Sequence, residues 1–304
     1  MPVFGKNVTF VTRHIHNLRG GSAPILAQAS DGLSYVVKFT NNLQGANLLF
    51  NESAGSELYR ACGLPVPSWK PLMLTDEFLE QNQACWMQTS EGRLRPEPGL
   101  CFGSRYLGGE ETHLLENLPG NYFKRIRNRK SFWLAWLIDI CAGHIDNRQA
   151  LFVEDSTGWL DAFFVDHGHL FGGPEGEQQR HFQASRYLDA RIYLRPTEKQ
   201  LASFQKVVQN LNVDRLLRRI KALPEEWKPA SALENFAQCL DRLSTPDLLQ
   251  SILNTIVEAQ QHAKEVEERN RQVRRNPPVS ILGVPVAGLS HGAVANGYDC
   301  AACA

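Results

Sequence analysis

Residues 143–168 read GHIDNRQALFVEDSTGWLDAFFVDHG, and the reading of the whole fold turns on this stretch. Two largely apolar runs, 150–154 and 159–165, flank Asp155-Ser156-Thr157-Gly158, a cluster of turn-forming residues. That pattern predicts a β-hairpin. Asp146 precedes the first strand and Asp166 follows the second. A hairpin returns its ends to neighbouring positions, so the two carboxylates are expected close together. Close carboxylates repel unless a proton or cation intervenes, which makes a divalent ion a natural occupant. Capping of the turns at the hairpin ends is the simpler alternative.

Upstream, residues 130–141 are apolar almost all round, with Trp133 and Trp136, and predict a helix buried in a core. Downstream, residues 198–211, 213–222, 230–243 and 246–274 predict amphipathic helices. The charged end at 264–275 reads as a solvated helix face. The first hundred residues have a different texture. Runs at 8–17, 25–29 and 33–39 are rich in β-branched and aromatic residues and predict a three-stranded antiparallel meander. Gly20-Gly21-Ser22 lies in its first connection, and Asp31-Gly32, suited to a two-residue type I′ turn, in its second. A helix is expected over about 46–61, capped by Gly63 and barred from continuing by Pro65 and Pro67. Further strands are expected at 70–75, 85–89 and 100–107, with a Pro- and Gly-rich loop at 91–99. Gly108-Gly109 then separates a strand-rich part, 1–108, from a mostly helical part, 109–275. Residues 276–304 lack periodicity and are expected to form a loosely ordered tail.

Composition excludes several classes. The 304 residues are 43% hydrophobic and 21% charged, near the average for globular proteins. Thirty-two basic residues balance 32 acidic ones, so no direct nucleic-acid partner is expected. The longest apolar stretch, 132–142, contains Asp139 and falls well short of the ~20 residues that span a bilayer, so no membrane association is expected. No apolar run or small-residue cleavage site follows Met1, which leaves a cytoplasmic location as the expectation. Seven cysteines, mostly scattered singly, do not suggest a disulfide framework, and Cys300 and Cys303 lack a second metal-binding pair. His167 and His169 lack a clear third zinc ligand. Neither a Gly-x-Ser-x-Gly elbow nor a dinucleotide-binding Gly-x-Gly-x-x-Gly is present.

One residue breaks the apolar strand at 34–39. Tyr35, Val37 and Phe39 share one face, and Lys38 lies on the other with Val36 and Thr40. Lys38 suits an edge strand that must resist aggregation. It equally suits an ammonium held over nucleotide phosphates and positioned by a carboxylate of the next helix, where Glu52 and Glu57 both lie. Glycine loop, strand lysine, helix glutamate, Asp-containing loop, hairpin and Asp-x-Gly follow in the order of a protein-kinase-like fold. In detail the chain resembles the HipA-like kinases, especially their short stand-alone bacterial branch. The matching residues are YVVKF at 35–39, Asn51-Glu52, GLPVP at 63–67, HIDNRQALF at 144–152 and VDHG at 165–168.

The resemblance implies an α+β, two-lobed fold and transfer of the γ-phosphate of ATP, with Mg2+, to a serine or threonine hydroxyl of a protein substrate. Gly20, Gly21 and Ser22 would cover the phosphates, and Lys38 would contact the α- and β-phosphates. Glu52 would orient Lys38, preferred to Glu57 because the Asn-Glu pair matches the family pattern. Backbone groups of Ser104, Arg105, Tyr106 and Leu107 would receive the adenine. Asp146 would orient the attacking hydroxyl, and Asp166 would bind Mg2+. The asparagine usual five residues after the catalytic aspartate is replaced by Leu151, so the loop is shortened and the second metal position falls to Gln149 or Asn147. A regulatory partner protein is also implied. The shortened loop leaves room for a nucleotide-binding pseudokinase that acts as an interaction module, and the acceptor could instead be a small molecule.

Overall fold

The protein is described here from a computed structural model, which describes residues 8–109, 112–118, 120–176, 185–193 and 197–275. Strand-forming residues build the first part. Strands β1 (Val11–Asn17), β2 (Ile25–Ala29) and β3 (Ser34–Lys38) form an antiparallel meander. The chain then forms helix α1 (Leu48–Ala61), strand β4 (Trp69–Leu74), helix α2 (Asp76–Gln81), the short strands β5 (Met87–Thr89) and β6 (Gly92–Leu94), and strand β7 (Gly99–Arg105). β7 inserts between β3 and β4, giving a five-stranded sheet in the order β1-β2-β3-β7-β4. Its two faces follow the period-2 alternation. Tyr35, Val37 and Phe39 pack with Ile25, Leu72 and Leu74 in one core, whereas Lys38 lies on the face that meets α1.

Two local expectations are corrected and one helix is added. The β2–β3 connection is not a two-residue type I′ turn. Gly32 alone is left-handed there (φ 79°), Gly32 N donates to Ala29 O and Ala29 N to Leu33 O, which makes a three-residue loop with glycine at the αL position. The Asp31 carboxylate favours this geometry by accepting from Leu33 N, the Tyr35 hydroxyl and Lys70. Residues 91–99 are not all loop, because β6 pairs with β5 and only residues 87–89 of the expected 85–89 strand are extended. Helix α2 was not anticipated, although Thr75 caps it by accepting from Phe78 N, and Asp76 and Glu77 fill its first turn.

The second part begins with strand β8 (His113–Leu115) and the buried helix α3 (Ser131–Ala142), closed by left-handed Gly143 (φ 64°). The hairpin of β9 (Gln149–Glu154) and β10 (Leu160–Val165) follows, with Val165 opposite Gln149, and β8 extends it to three strands. Helices α4 (Glu198–Gln209), α5 (Val213–Lys221), α6 (Ala230–Ser244) and α7 (Pro246–Arg275) complete the described chain. Trp227, between α5 and α6, packs on Leu48, Leu49 and Phe102, and its indole N–H donates to Leu100 O at 3.0 Å. Helices α5 and α6 also contact α1. The architecture is α+β and two-lobed, an antiparallel sheet with its helix followed by a mostly helical part. By contact density residues 1–253 form one unit, and of the second, 254–304, the helical continuation to Arg275 is described. The expected tail at 276–304 lies outside the described residues. Among the described residues no helix is long and apolar enough to cross a membrane.

Candidate active site

Lys38 leaves β3 on the side of α1 and is only 7% exposed. Its Nζ donates to Glu52 of α1 and to Asp166 Oδ1, the latter at 2.8 Å. Glu57, five residues further along α1, faces away. It accepts from Arg60 (2.6 Å), Arg219 (2.9 Å) and the Trp69 indole (3.0 Å). Burial by itself lowers the Lys38 ammonium pKa, but the charges of Asp166 and Glu52 overcome it and raise the pKa above the ordinary lysine value. For Asp166, burial pushes upward and the adjacent Lys38 pulls downward. The lysine prevails and holds this carboxyl well below the usual range. Glu52 moves the opposite way, raised by its own burial despite the attraction of Lys38.

Asp166 is left-handed at φ 59°, a conformation that costs on the order of 1 kcal/mol outside glycine. Arg148 holds it there. One guanidinium nitrogen donates to the carbonyls of Val165 (2.9 Å) and Asp166 (3.2 Å), and the other two form a bidentate pair with Asp139 of α3 (2.9 and 2.7 Å). The Tyr59 hydroxyl of α1 donates to the same Asp139 at 2.5 Å. All three side chains are fully buried. On its open side Asp166 Oδ2 accepts from Gln149 Nε2 at 2.7 Å.

Lys38, Glu52, Gln149 and Asp166 line a cleft of about 520 Å³, whereas Arg148, Asp139 and Tyr59 lie outside it. Asp146 lines the same cleft, half-buried, with Oδ1 accepting from Asn147 N at 2.6 Å. Asn147 itself is exposed and does not line the cleft, whereas Gln149 does. Gly20, Gly21 and Ser22 form another wall. Gly20 (φ 133°) accepts from Ala23 N, and Asn42 Nδ2 donates to Ser22 O at 2.9 Å. A Cβ on Gly21 would stand 2.8 Å from the Gln44 amide, which would have to shift to admit it. Ser104, Arg105, Tyr106 and Leu107 line the cleft where β7 ends. The amides of Arg105 and Tyr106 donate to Ser68 O and Ser34 O, and that of Leu107 has no partner among the described residues.

The donors on the floor are hard oxygens: the Asp166 and Asp146 carboxylates and the Gln149 amide. Mg2+ commonly takes one or two carboxylates together with waters and phosphate oxygens, and this donor set fits it. Among the described residues no group of three or more His, Cys, Asp or Glu is placed to hold a metal ion. His167 instead packs against the Tyr59 ring (4.6 Å between centroids) and beside Arg148. Chemically, an ammonium and two carboxylates opposite a glycine loop suit a polyanion bridged by a divalent cation.

Sequence reading brought Lys38, Glu52, Asp146, Gln149, Asp166 and the glycine loop onto one list, and the fold brings them around one cleft. It missed Arg148 with Asp139 and Tyr59, and also the Asn51 side chain, which is fully buried. A signal for the first was visible. Asp139 is the single charge in an apolar helix, and a buried charge requires a partner.

No protein-family model and no curated protein matches the chain by sequence. Among solved structures it is similar to the Golgi casein kinase, with a TM-score of 0.50 and 16% identity over 82% of this chain and 74% of that one. The fold is protein-kinase-like. A structure of the Golgi casein kinase with Mn/ADP bound (TM-score 0.45, 14% identity) covers 81% of this chain and 73% of that one. The Helicobacter pylori proinflammatory kinase CtkA (TM-score 0.46, 11% identity) covers 81% of this chain and 96% of that one. At these identities the likeness is one of fold.

Proposed function

We propose that the protein is a HipA-like, ATP- and Mg2+-dependent kinase that transfers the γ-phosphate to a serine or threonine hydroxyl of a protein. The observation that carries this reading is the buried contact of Lys38 with Glu52 and Asp166, on the floor of a cleft that also holds the glycine loop and Asp146. Gly20, Gly21 and Ser22 cover the phosphates, and Lys38, kept charged by its two carboxylates, lies against the α- and β-phosphates. The adenine edge meets the backbone of Ser104, Arg105, Tyr106 and Leu107 where β7 ends. Asp166 and Gln149 hold Mg2+, which supplies charge neutralisation for the phosphates when bound. Asp146 accepts the hydrogen bond of the attacking hydroxyl and keeps its oxygen in line with the γ-phosphorus. In a loose phosphoryl-transfer transition state this positioning outweighs early deprotonation. The hinge between lobes falls near Gly108-Gly109.

The test is a thermal-shift comparison of wild type and Asp166→Asn with ATP, with and without Mg2+, followed by transfer assays on Asp146→Asn. Mg2+-dependent stabilisation lost in Asp166→Asn, and transfer lost in Asp146→Asn, are the expected results. Wild type that binds ATP yet transfers phosphate to no protein across varied metals and candidate substrates would overturn it. One observation favours a second reading, a nucleotide-binding interaction module without catalysis: the shortened loop leaves Asn147 exposed outside the cleft. ATP stabilisation unaffected by Asp146→Asn, with no transfer by either form, is its signature. A small-molecule acceptor would appear as transfer to metabolite fractions rather than to protein. The regulatory partner rests on the HipA-like resemblance, and co-purification from native cells tests it.

A further inference from the structure

We infer that Asn51 is a positioning residue that locks the loop following Asp166 into one conformation before nucleotide or metal arrives. The inference rests on Asp166 being the metal-binding carboxylate. The residues after Asp166 adopt an unusual path, because Phe171 (φ 53°), Gly172 (φ 84°) and Gly173 (φ 85°) are left-handed in succession. Phe171 gains nothing from that conformation by itself, so the surroundings must impose it. On one side the loop is tied to the end of α3. Phe171 N donates to Ala142 O at 2.8 Å and Gly172 N to Gly143 O at 3.2 Å.

On the other side it is tied to α1 by two adjacent side chains of opposite polarity. Glu52 accepts from the amides of His167 (3.2 Å) and Gly168 (2.9 Å). Asn51 Nδ2 donates to the carbonyls of Gly168 (2.8 Å), Leu170 (2.8 Å) and Gly173 (3.0 Å). Three carbonyls converging on one group require a donor there. A flipped amide would set Oδ1 against three carbonyl oxygens, so the amide orientation is dictated by its surroundings. The approach is also sterically exclusive. A Cβ on Gly55 of α1 would stand 2.6 Å from His167 Cβ, and one on Gly168 would stand 2.4 Å from Leu48. At both glycines an added Cβ would have to displace side chains of the facing element, and Asn51 is the group that donates to the loop carbonyls across that contact.

Glu52 also serves Lys38, so its loss confounds two effects. Asn51 touches neither Lys38 nor the cleft, which separates holding the loop from holding the phosphates. The experiment uses the full chain as wild type, Asn51→Asp and Asn51→Ser, with ATP titrated calorimetrically with and without Mg2+. Hydrogen exchange at residues 168–173 is followed in parallel without nucleotide. Asn51→Asp exchanges only the NH2 group for an oxygen. The expected result is loss of about tenfold or more of the Mg2+-dependent gain in ATP affinity, the scale for an outer-shell partner of a metal site. Metal-free ATP affinity stays unchanged, and exchange at residues 168–173 accelerates. Unchanged Mg2+ dependence with a lowered melting temperature would overturn the inference, since a residue that only supports folding behaves so. So would wild-type loop amides that exchange as fast as exposed surface. If Asn51→Asp does not fold, Asn51→Ser carries the same comparison without a buried charge. Wild type without any Mg2+-dependent ATP binding would instead sink the reading of Asp166, and exchange at residues 168–173 would still decide whether Asn51 locks the loop.

Discussion

Helices α1 and α3 are both enclosed almost completely, one over residues 48–59 and the other over 132–142, yet they are enclosed for opposite reasons. α3 is apolar on every face and carries one charge, Asp139. Its burial follows the area of hydrocarbon removed from water, which is non-directional. α1 buries Asn51, Glu52, Ser53, Ser56 and Glu57 among its apolar residues. Polar groups at such depth need partners at defined positions. Lys38, residues 167–173, Arg60 and Arg219 supply them, while Ser53 Oγ donates back to Leu49 O and Phe50 O. An apolar helix anchors a lobe, and a polar buried helix specifies where other elements must stand. The candidate site is therefore organised by the many addressed contacts of α1, while α3 contributes through its single charge, Asp139, which holds Arg148.

The largest effect is expected where the one charge of α3 is removed. Asp139→Ala leaves Arg148 buried without its carboxylate and should cost about 3–5 kcal/mol in denaturant unfolding. A paired Asp139→Ala, Arg148→Met variant should recover much of this, and equal losses in the single and double variants would show that area alone holds α3. Lys38→Met attacks the addressed contacts of α1. Phosphate transfer should fall by on the order of 10²–10³, the scale for removing one preorganised charge from a reacting group, and turnover within a few-fold of wild type would contradict it.

Acid should weaken the seam between the two helices next. His144 and His167 are buried, and their pKa values are lowered well below the ordinary value by burial first and by the charge of Arg148 second. Both are neutral in the fold, whereas in the unfolded chain they take up protons near pH 6.5. The unfolded state therefore binds more protons below that pH, and stability is full above about 6.5 and falls as pH drops toward the folded values. The slope approaches about 1.4 kcal/mol per pH unit for each histidine. Unfolding free energies measured from pH 8 to 5 check this, and a flat profile would count against it. The smallest effect belongs to Arg219→Ala. Its side chain is 47% exposed, so loss of its pair with Glu57 should cost less than about 1 kcal/mol, leaving the denaturation midpoint nearly unchanged.

β-branched, aromatic and apolar runs bounded by turn residues sufficed to find β1, β2, β3 and the β9–β10 hairpin, because each is decided by neighbours within a few residues, and period-2 alternation set the faces of β3. The same rule put Lys38 on the face away from Tyr35 and Val37. It failed at Asp31-Gly32, where the turn answers to Lys70 from another strand, and at β5 and β6, whose short pairing lies inside a Pro- and Gly-rich stretch. In the site, Lys38, Asp146 and Asp166 stand out as charges among apolar runs. Arg148 and Asn51 stood within the matched motifs, but nothing near them in the sequence gave either side chain a partner.

The sequence by itself determined the order of elements, the side of β3 from which Lys38 emerges and the pairing of the hairpin that carries Asp166, since these depend on local periodicity and turn chemistry. Which glutamate meets Lys38, why Asp166 tolerates a left-handed backbone, and what the buried polar groups of α1 are for were decided only by tertiary structure. Each depends on groups that arrive from far along the chain, Asp166 at Lys38 and the carbonyls of Gly168, Leu170 and Gly173 at Asn51. The strength of a buried polar contact depends on the distance and orientation of both partners, and a linear pattern records only one of them at a time.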